Sequence, residues 1–238
     1  MSLGDGGGGL RALVIQHEQS APGGYLHEWL REGGADEEIL RIDTDARELD
    51  PVDFDAIVSL GSESSAFDDS VPWIERERRL LRDAAEADVP ILGICFGAQL
   101  LARALGGPCL RMERPEIGWL PVRTRAPALV AEGPWFLWHS DTFTAPPGAR
   151  LIADSPAGPQ AYTRGRSLGV QFHPEATPEM VDRWVGAYRH ELDSEHVDPD
   201  QLLALTNARA GHARRSAWRL FDAFLDQVAG VRSAVRGT

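Results

Sequence analysis

The sequence contains no lysine: all 24 of its basic residues are arginine. That absence removes phosphate loops built around a lysine, lysine Schiff-base chemistry and the protein-kinase catalytic lysine. Cysteine is scarce as well. Cys95 and Cys109 alone can build neither a disulfide framework nor a four-cysteine zinc cluster. Positive charge is outweighed, 36 acidic residues against 24 basic, for a net charge of −12. With no excess of cation to neutralise phosphates, no nucleic-acid-binding surface is expected. No apolar run approaches the roughly 20 residues of a membrane span, so no membrane attachment is expected. The start, Met1-Ser2-Leu3-Gly4 running into Gly6–Gly9, lacks the basic-then-apolar order of a signal peptide. The composition therefore predicts a cytoplasmic protein acting on small molecules. A flexible tail over residues 1–9 and a single domain over residues 10–238 are expected.

What remains is an ordinary globular composition, 43% hydrophobic over 238 residues, long enough to bury a sizeable core. After the glycines, Leu10–Gln16 reads as a short buried strand. Gly24–Arg31 carries Tyr25, Leu26, Trp29 and Leu30 at helical spacing. Glu38–Ile42 and Asp55–Leu60 read as strands. Val71–Ala87 reads as an amphipathic helix with Trp73, Ile74, Leu80, Leu81 and Ala84 inward. Pro90–Ile94 reads as a buried strand, and Phe96–Leu105 as a helix ending at Gly106-Gly107. Alternation of helices with continuously apolar strands predicts an α/β fold, a mostly parallel central sheet with helices on both faces.

From Cys109 to Gln171 the pattern changes. Gly118–Arg123, Trp135–Trp138, Arg150–Ala153, Gln160–Arg164 and Leu168–Gln171 read as short strands separated by proline and glycine turns. A helical extension is predicted over residues 178–238, one helix reaching from Pro178 to about Leu192 and another from Pro199 to Val228. Its large apolar residues, among them Trp184, Tyr188, Leu202, Trp218, Leu220 and Phe221, predict packing against the sheet, a homodimer or partner face being the alternative.

Gly93-Ile94-Cys95-Phe96-Gly97-Ala98-Gln99 joins the clearest strand to the clearest helix. Glycines two positions to either side of Cys95 suit a nucleophile elbow, a sharp turn where side chains would collide with the strand or helix. A cysteine there sits at a helix N-terminus, where unpaired N–H groups and the helix dipole favour the thiolate. Cys109 has no such setting and reads as a small core residue.

A thiolate nucleophile needs a base. Among the seven histidines, His173 stands at a strand end in Val170-Gln171-Phe172-His173-Pro174-Glu175. Pro174 cannot continue a central ladder, so the strand should stop there. Residues two apart in extended chain point to the same side, which brings Glu175 within reach of the imidazole. Glu175 would fix the tautomer of His173 and stabilise the imidazolium. The elbow and the His-Pro-Glu segment should both lie on the rim formed by the carboxyl ends of parallel strands. His139 precedes a turn with no carboxylate partner at a strand end, and reads as a pocket-wall or structural residue.

Gly93-x-Cys95-x-Gly97-x-Gln99 together with His173-Pro174-Glu175 resembles the class I (triad) glutamine amidotransferase family, most of all its GMP-synthase-like domains. The resemblance covers roughly Leu10 to Trp184. It implies a flavodoxin-like class I amidotransferase fold, with extra short antiparallel strands and C-terminal helices. It also implies hydrolysis of the glutamine side-chain amide through a γ-glutamyl thioester on Cys95, with His173 as base and Glu175 holding it. The family's oxyanion hole is made of two backbone N–H groups, which here fall on Ser62 and Phe96. The loop carrying the first usually reads Gly-Gly-Pro and here reads Gly61-Ser62-Glu63, a place where serine tolerates positive φ poorly. The resemblance further implies that Gly61, Gln99, Ser140 and Asp141 bind the substrate. No cofactor and no metal are implied.

Three functions follow as expectations. The first is a glutaminase supplying ammonia to a separate synthetase or other acceptor, since no Ser-Gly-Gly-x-Asp-Ser-like pyrophosphatase loop occurs in these residues. The second is a stand-alone γ-glutamyl peptide hydrolase using the same acyl-enzyme. The third is a non-catalytic module that binds a glutamyl ligand or regulates a partner, for which the Ser62 departure is the support.

Overall fold

A computed structural model describes residues 9–230 of the chain. The tail expected over residues 1–9 falls, apart from Gly9, outside the described residues, as does the end of the C-terminal extension beyond Gly230. The first half alternates as the apolar pattern requires: β1 (Arg11–Gln16), α1 (Gly24–Glu32), β2 (Asp36–Arg41), β3 (Ala56–Ser59), α2 (Pro72–Glu86), β4 (Ile91–Ile94) and α3 (Phe96–Ala104). The middle is β-rich: β5 (Cys109–Leu120), β6 (Arg123–Thr124), β7 (Trp135–Phe143), β8 (Arg150–Ser155), β9 (Gly158–Arg164) and β10 (Ser167–Val170). Three helices follow: α4 (Pro178–Ala187), α5 (Arg189–Ser194) and α6 (Pro199–Ala223), the last running on into a π-helical turn, Phe224–Ala229.

An eight-stranded sheet has the order β2-β1-β3-β4-β10-β9-β8-β6. β2, β1, β3, β4 and β10 are mutually parallel, and β9, β8 and β6 extend the sheet antiparallel. Every residue of β3, β4 and β10 is buried, as expected of strands covered on both faces. Alternate side chains sort to opposite sides. Ala12, Val14, Val58 and Leu92 pack with Leu26, Trp29 and Leu30 of α1 and with Leu220 and Phe221 of α6. Leu13, Ile15, Ile57 and Ile91 pack instead with Ile74 and Leu81 of α2 and Leu100 and Leu101 of α3. Helix α6 thus completes the core of one face, while Met180, Val181 and Trp184 of α4 pack with Ile117 and Phe136 of the β5–β7 pair.

Three expectations are corrected. The strand expected at Gly118–Arg123 is the end of a much longer one, β5, which forms its own antiparallel pair with β7. Its charged first half, Arg111-Met112-Glu113-Arg114-Pro115, carries no apolar alternation, and the register shifts between Arg111 and Glu116, a bulge where proline is tolerated. The helix expected from Pro178 to about Leu192 breaks at Tyr188, whose φ of −113° and ψ of 32° lie outside helical geometry. On α2 the inward face includes a charged residue, Glu77, with no exposed surface at all, while Trp73 and Leu80 are only partly buried.

Candidate active site

Cys95 sits between β4 and α3 with φ 52° and ψ −110°, a strained conformation for a residue with a side chain. The glycines around it are required by close approach. A Cβ on Gly93 would lie 2.6 Å from the Gly97 carbonyl oxygen, and one on Gly97 would lie 2.1 Å from the Ser59 carbonyl oxygen. No side chain fits in either place. The Phe96 N–H opens α3 and has no intrahelical acceptor.

The extended chain after β10 leaves the sheet, as Pro174 requires, with His173 N–H donating to the Phe136 carbonyl at 2.8 Å. Nδ1 of His173 stands 2.7 Å from Oε1 of Glu175, both side chains buried. Nε2 of His173 is buried without a hydrogen-bond partner. Trp184 stacks edge-on against the ring, its centroid 5.1 Å away. Burial would depress the His173 pKa, but the Glu175 carboxylate and then the Cys95 thiol more than offset it, so the group is held well above the ordinary histidine value. Gly61 marks how closely the two halves meet: a Cβ there would lie 3.1 Å from Cε1 of His173 and 3.8 Å from Cβ of Cys95.

A cleft of about 400 Å³ opens on this corner, within the size range of small-ligand sites. Gly61, Ser62, Cys95, Phe96, Gln99, Ser140, Asp141 and His173 all line it. Of the expected site residues only Glu175 does not, because it lies behind His173. Gln99 donates through Nε2 to the Asp141 carbonyl at 2.9 Å and to Oε1 of Gln171 at 3.2 Å, so its own carbonyl oxygen is the polar atom left for a ligand. The Asp141 carboxylate is engaged within the protein, by Arg111 at 3.1 Å and by the Ser65 hydroxyl at 2.5 Å.

Other groups at the site escaped the sequence reading. Gln171 donates through Nε2 toward Sγ of Cys95 at 3.6 Å. His139 does have a carboxylate neighbour, Oε2 of Glu116 at 3.2 Å. The two sit opposite each other in the β5–β7 register, a pairing hidden while the bulged strand was unrecognised. Burial raises the Glu116 pKa, yet the neighbouring His139 ring and the Gln160 amide, whose Nε2 donates to Oε2 of Glu116 at 2.7 Å, help leave it below the ordinary value. The cleft mouth is edged by α5 and the residue before it: Tyr188 hydrogen-bonds Glu63, and the Trp138 indole N–H donates to Glu191 at 2.9 Å. Cys109 is elsewhere, its thiol donating to the Gln99 carbonyl and its pKa pushed by burial to about 12. No group of three or more His, Cys, Asp or Glu able to hold a metal ion occurs among the described residues. None of the helices among them is long and apolar enough to cross a membrane.

The family model for glutamine amidotransferase class-I matches residues 24–184. The chain belongs to this family. It is 36% identical over 174 residues to a GMP synthase [glutamine-hydrolyzing] from Thermus thermophilus, a match covering 67% of this chain and 33% of that relative. It is 33% identical over 159 residues to another of that name from Parafrankia, covering 63% of this chain and 26% of the relative. The chain therefore spans about a third of the length of the curated relatives it matches. Among solved structures, a glutamine amidotransferase from Thermotoga maritima superposes with a TM-score of 0.83 at 27% identity, over 92% of this chain and 99% of the other. A glutamine amidotransferase from Methylobacillus flagellatus gives 0.85 at 29%, over 92% and 95%. The flavodoxin-like architecture of the family is thus the architecture of this chain.

Proposed function

We propose that the chain hydrolyses the side-chain amide of glutamine, with Cys95 as nucleophile, His173 as proton carrier and Glu175 as the group that orients it. The observation that carries this reading is the state of the His173 ring. Nδ1 is tied to Glu175, and Nε2 is buried, unpartnered and next to Cys95. Nε2 holds the proton drawn from the thiol, and Sγ, as the thiolate, bonds to the amide carbon. The negative oxygen of the tetrahedral intermediate accepts from the N–H groups of Ser62 and Phe96. Collapse breaks the C–N bond, the imidazolium gives its proton to the departing nitrogen, and ammonia leaves a γ-glutamyl thioester. Water then attacks, its proton passing to Nε2, and the thiol is released with glutamate.

The relatives named GMP synthase suggest where the ammonia goes: to a synthetase partner, or to another acceptor. The cleft supports a second reading, cleavage of γ-glutamyl peptides. Its lip of Trp138, Tyr188 and His190 offers a surface for a leaving group larger than ammonia.

A glutamine-like diazoketone, followed by peptide mass mapping, tests the site. The adduct is expected on Cys95, with glutamate release lost in step. Labelling of Cys109 instead would sink the assignment, and γ-glutamyl dipeptides cleaved faster than glutamine would decide for the peptidase.

A further inference from the structure

Behind the Gly61-Ser62 loop lies a second buried histidine–carboxylate pair that the hydrolytic chemistry above does not use. His17 directly follows β1, one strand over from the loop after β3. Its Nδ1 is 3.0 Å from the Gly61 carbonyl oxygen and its Nε2 is 2.7 Å from Oε2 of Glu77 on α2. Both side chains are wholly buried. The other oxygen of Glu77 accepts from the Ser59 hydroxyl at 2.6 Å, and the His17 ring is held between Trp73 and Phe96, with centroids at 5.0 and 4.7 Å.

A carbonyl can only accept, so Nδ1 of His17 must carry a proton and donate it to Gly61. The Gly61–Ser62 peptide is trans, the cis bond among the described residues being Gly133–Pro134. Across a planar trans peptide the N–H points opposite to the C=O. Fixing the Gly61 carbonyl on His17 therefore turns the Ser62 N–H the other way. Both residues line the cleft, and the Ser62 N–H has no acceptor among the described residues. We infer that His17, anchored by Glu77, is a positioning residue that sets the Gly61–Ser62 peptide so that the Ser62 N–H serves as an oxyanion donor. This rests on the hydrolytic reading of the site. It also bears on the serine at that position, because the orientation is imposed from behind through the carbonyl of Gly61, whatever side chain residue 62 carries. Burial works against charge on His17, but Glu77, with a smaller contribution from Glu18, leaves the ring's pKa raised, in keeping with a ring that donates from both nitrogens.

Two isosteres separate the ring's bonds. In His17→Asn the amide nitrogen can stand where Nδ1 stood, whereas in His17→Gln it can reach Glu77 but not Gly61. For His17→Gln, kcat for glutamine is expected to fall on the order of 10²-fold, the size of a lost oxyanion donor, with KM changed by less than about threefold. His17→Asn should recover at least roughly tenfold of that loss. Alkylation of Cys95 by iodoacetamide, which needs no oxyanion hole, should keep its native rate in both. Native kcat in His17→Gln, or alkylation falling in parallel with turnover, would overturn the inference. Nitrogen-15 NMR of the native chain reads the ring without turnover or substitution. A proton on Nδ1 at pH 7.5 is expected, and a bare Nδ1 would overturn the proposal even if both variants failed to fold. A native chain without any amidase activity but with a proton on Nδ1 of His17 would instead refute the hydrolytic reading and leave the peptide orientation standing.

Discussion

Glu175 and His173 meet at 2.7 Å across a single intervening proline, with both side chains buried. The carboxylate does two things there: it fixes the proton on Nδ1, and it is the largest single influence keeping the imidazole pKa high, ahead of Cys95. Glu175→Gln keeps the shape and removes the charge. Turnover should fall by about 10²-fold or more, and the His173 titration should move to lower pH. His173→Ala should lose more, since the proposed reaction assigns both thiol activation and delivery of the leaving-group proton to that ring. Equal losses in the two variants would mean that Glu175 does more than orient. Steady-state rates with an NMR titration of His173 provide the check.

Gly97→Ala is expected to injure the fold before it injures the chemistry. Its methyl would meet the Ser59 carbonyl at 2.1 Å, a backbone atom in the middle of the sheet that cannot swing aside. A loss of about 3 kcal/mol is expected, roughly 6–12 °C in Tm for a domain of this size. Gly61→Ala is a different case. Its methyl would stand 3.1 Å from the His173 ring, so a shift of a few tenths of an ångström suffices. Tm should change little while kcat falls on the order of tenfold, because reacting groups tolerate small displacements poorly. Calorimetry and kinetics on the pair would separate the two effects, and a reversed pattern would contradict the packing described.

The pH dependence of stability follows from two buried histidines. His17 and His173 both have folded-state pKa values above the ordinary 6.5. The stabilisation they gain by being charged in the native state is fully present below about pH 6.5 and is lost as pH rises through their folded values. The urea midpoint should therefore fall as pH is raised from 6.5 toward 9 and beyond. The fall should be shallower in His17→Gln, where one of the two titrating groups is gone. A midpoint that rises over this range would show that these rings are neutral in the native state. On the acid side Glu116, its pKa lowered, contributes stability above its ordinary value of 4.5 that is lost as pH drops through the folded value.

The placement of the candidate site residues was legible because its constraints are local. The glycines of the elbow, the helix that follows it and the proline that ends β10 all act within a few residues of the side chains they place. The parallel strands were legible for a similar reason, since burial on both faces leaves an uninterrupted apolar run. What escaped depends on partners far along the chain. Glu77 lies in a run of charged residues, Glu75-Arg76-Glu77-Arg78-Arg79, and helical periodicity does not say which of them turns inward. That is decided by His17, 60 residues away. Gln171 looked like the polar end of a strand until the sheet order placed β10 beside β4. Glu116 finds His139 only through the register of a bulged hairpin, and the break at Tyr188 follows a contact with Glu63, 125 residues distant.

The backbone of Cys95, at φ 52°, has a consequence for evolution at this position. A left-handed site favours glycine, so the chain would be sturdier there without its sulfur. Cys95→Gly should melt above Cys95→Ala, by an amount on the order of 1 kcal/mol, although both lack a nucleophile. If Cys95→Gly also melts above the native chain, selection for thermal stability alone would erode the cysteine, and its retention at position 95 would answer to something other than stability.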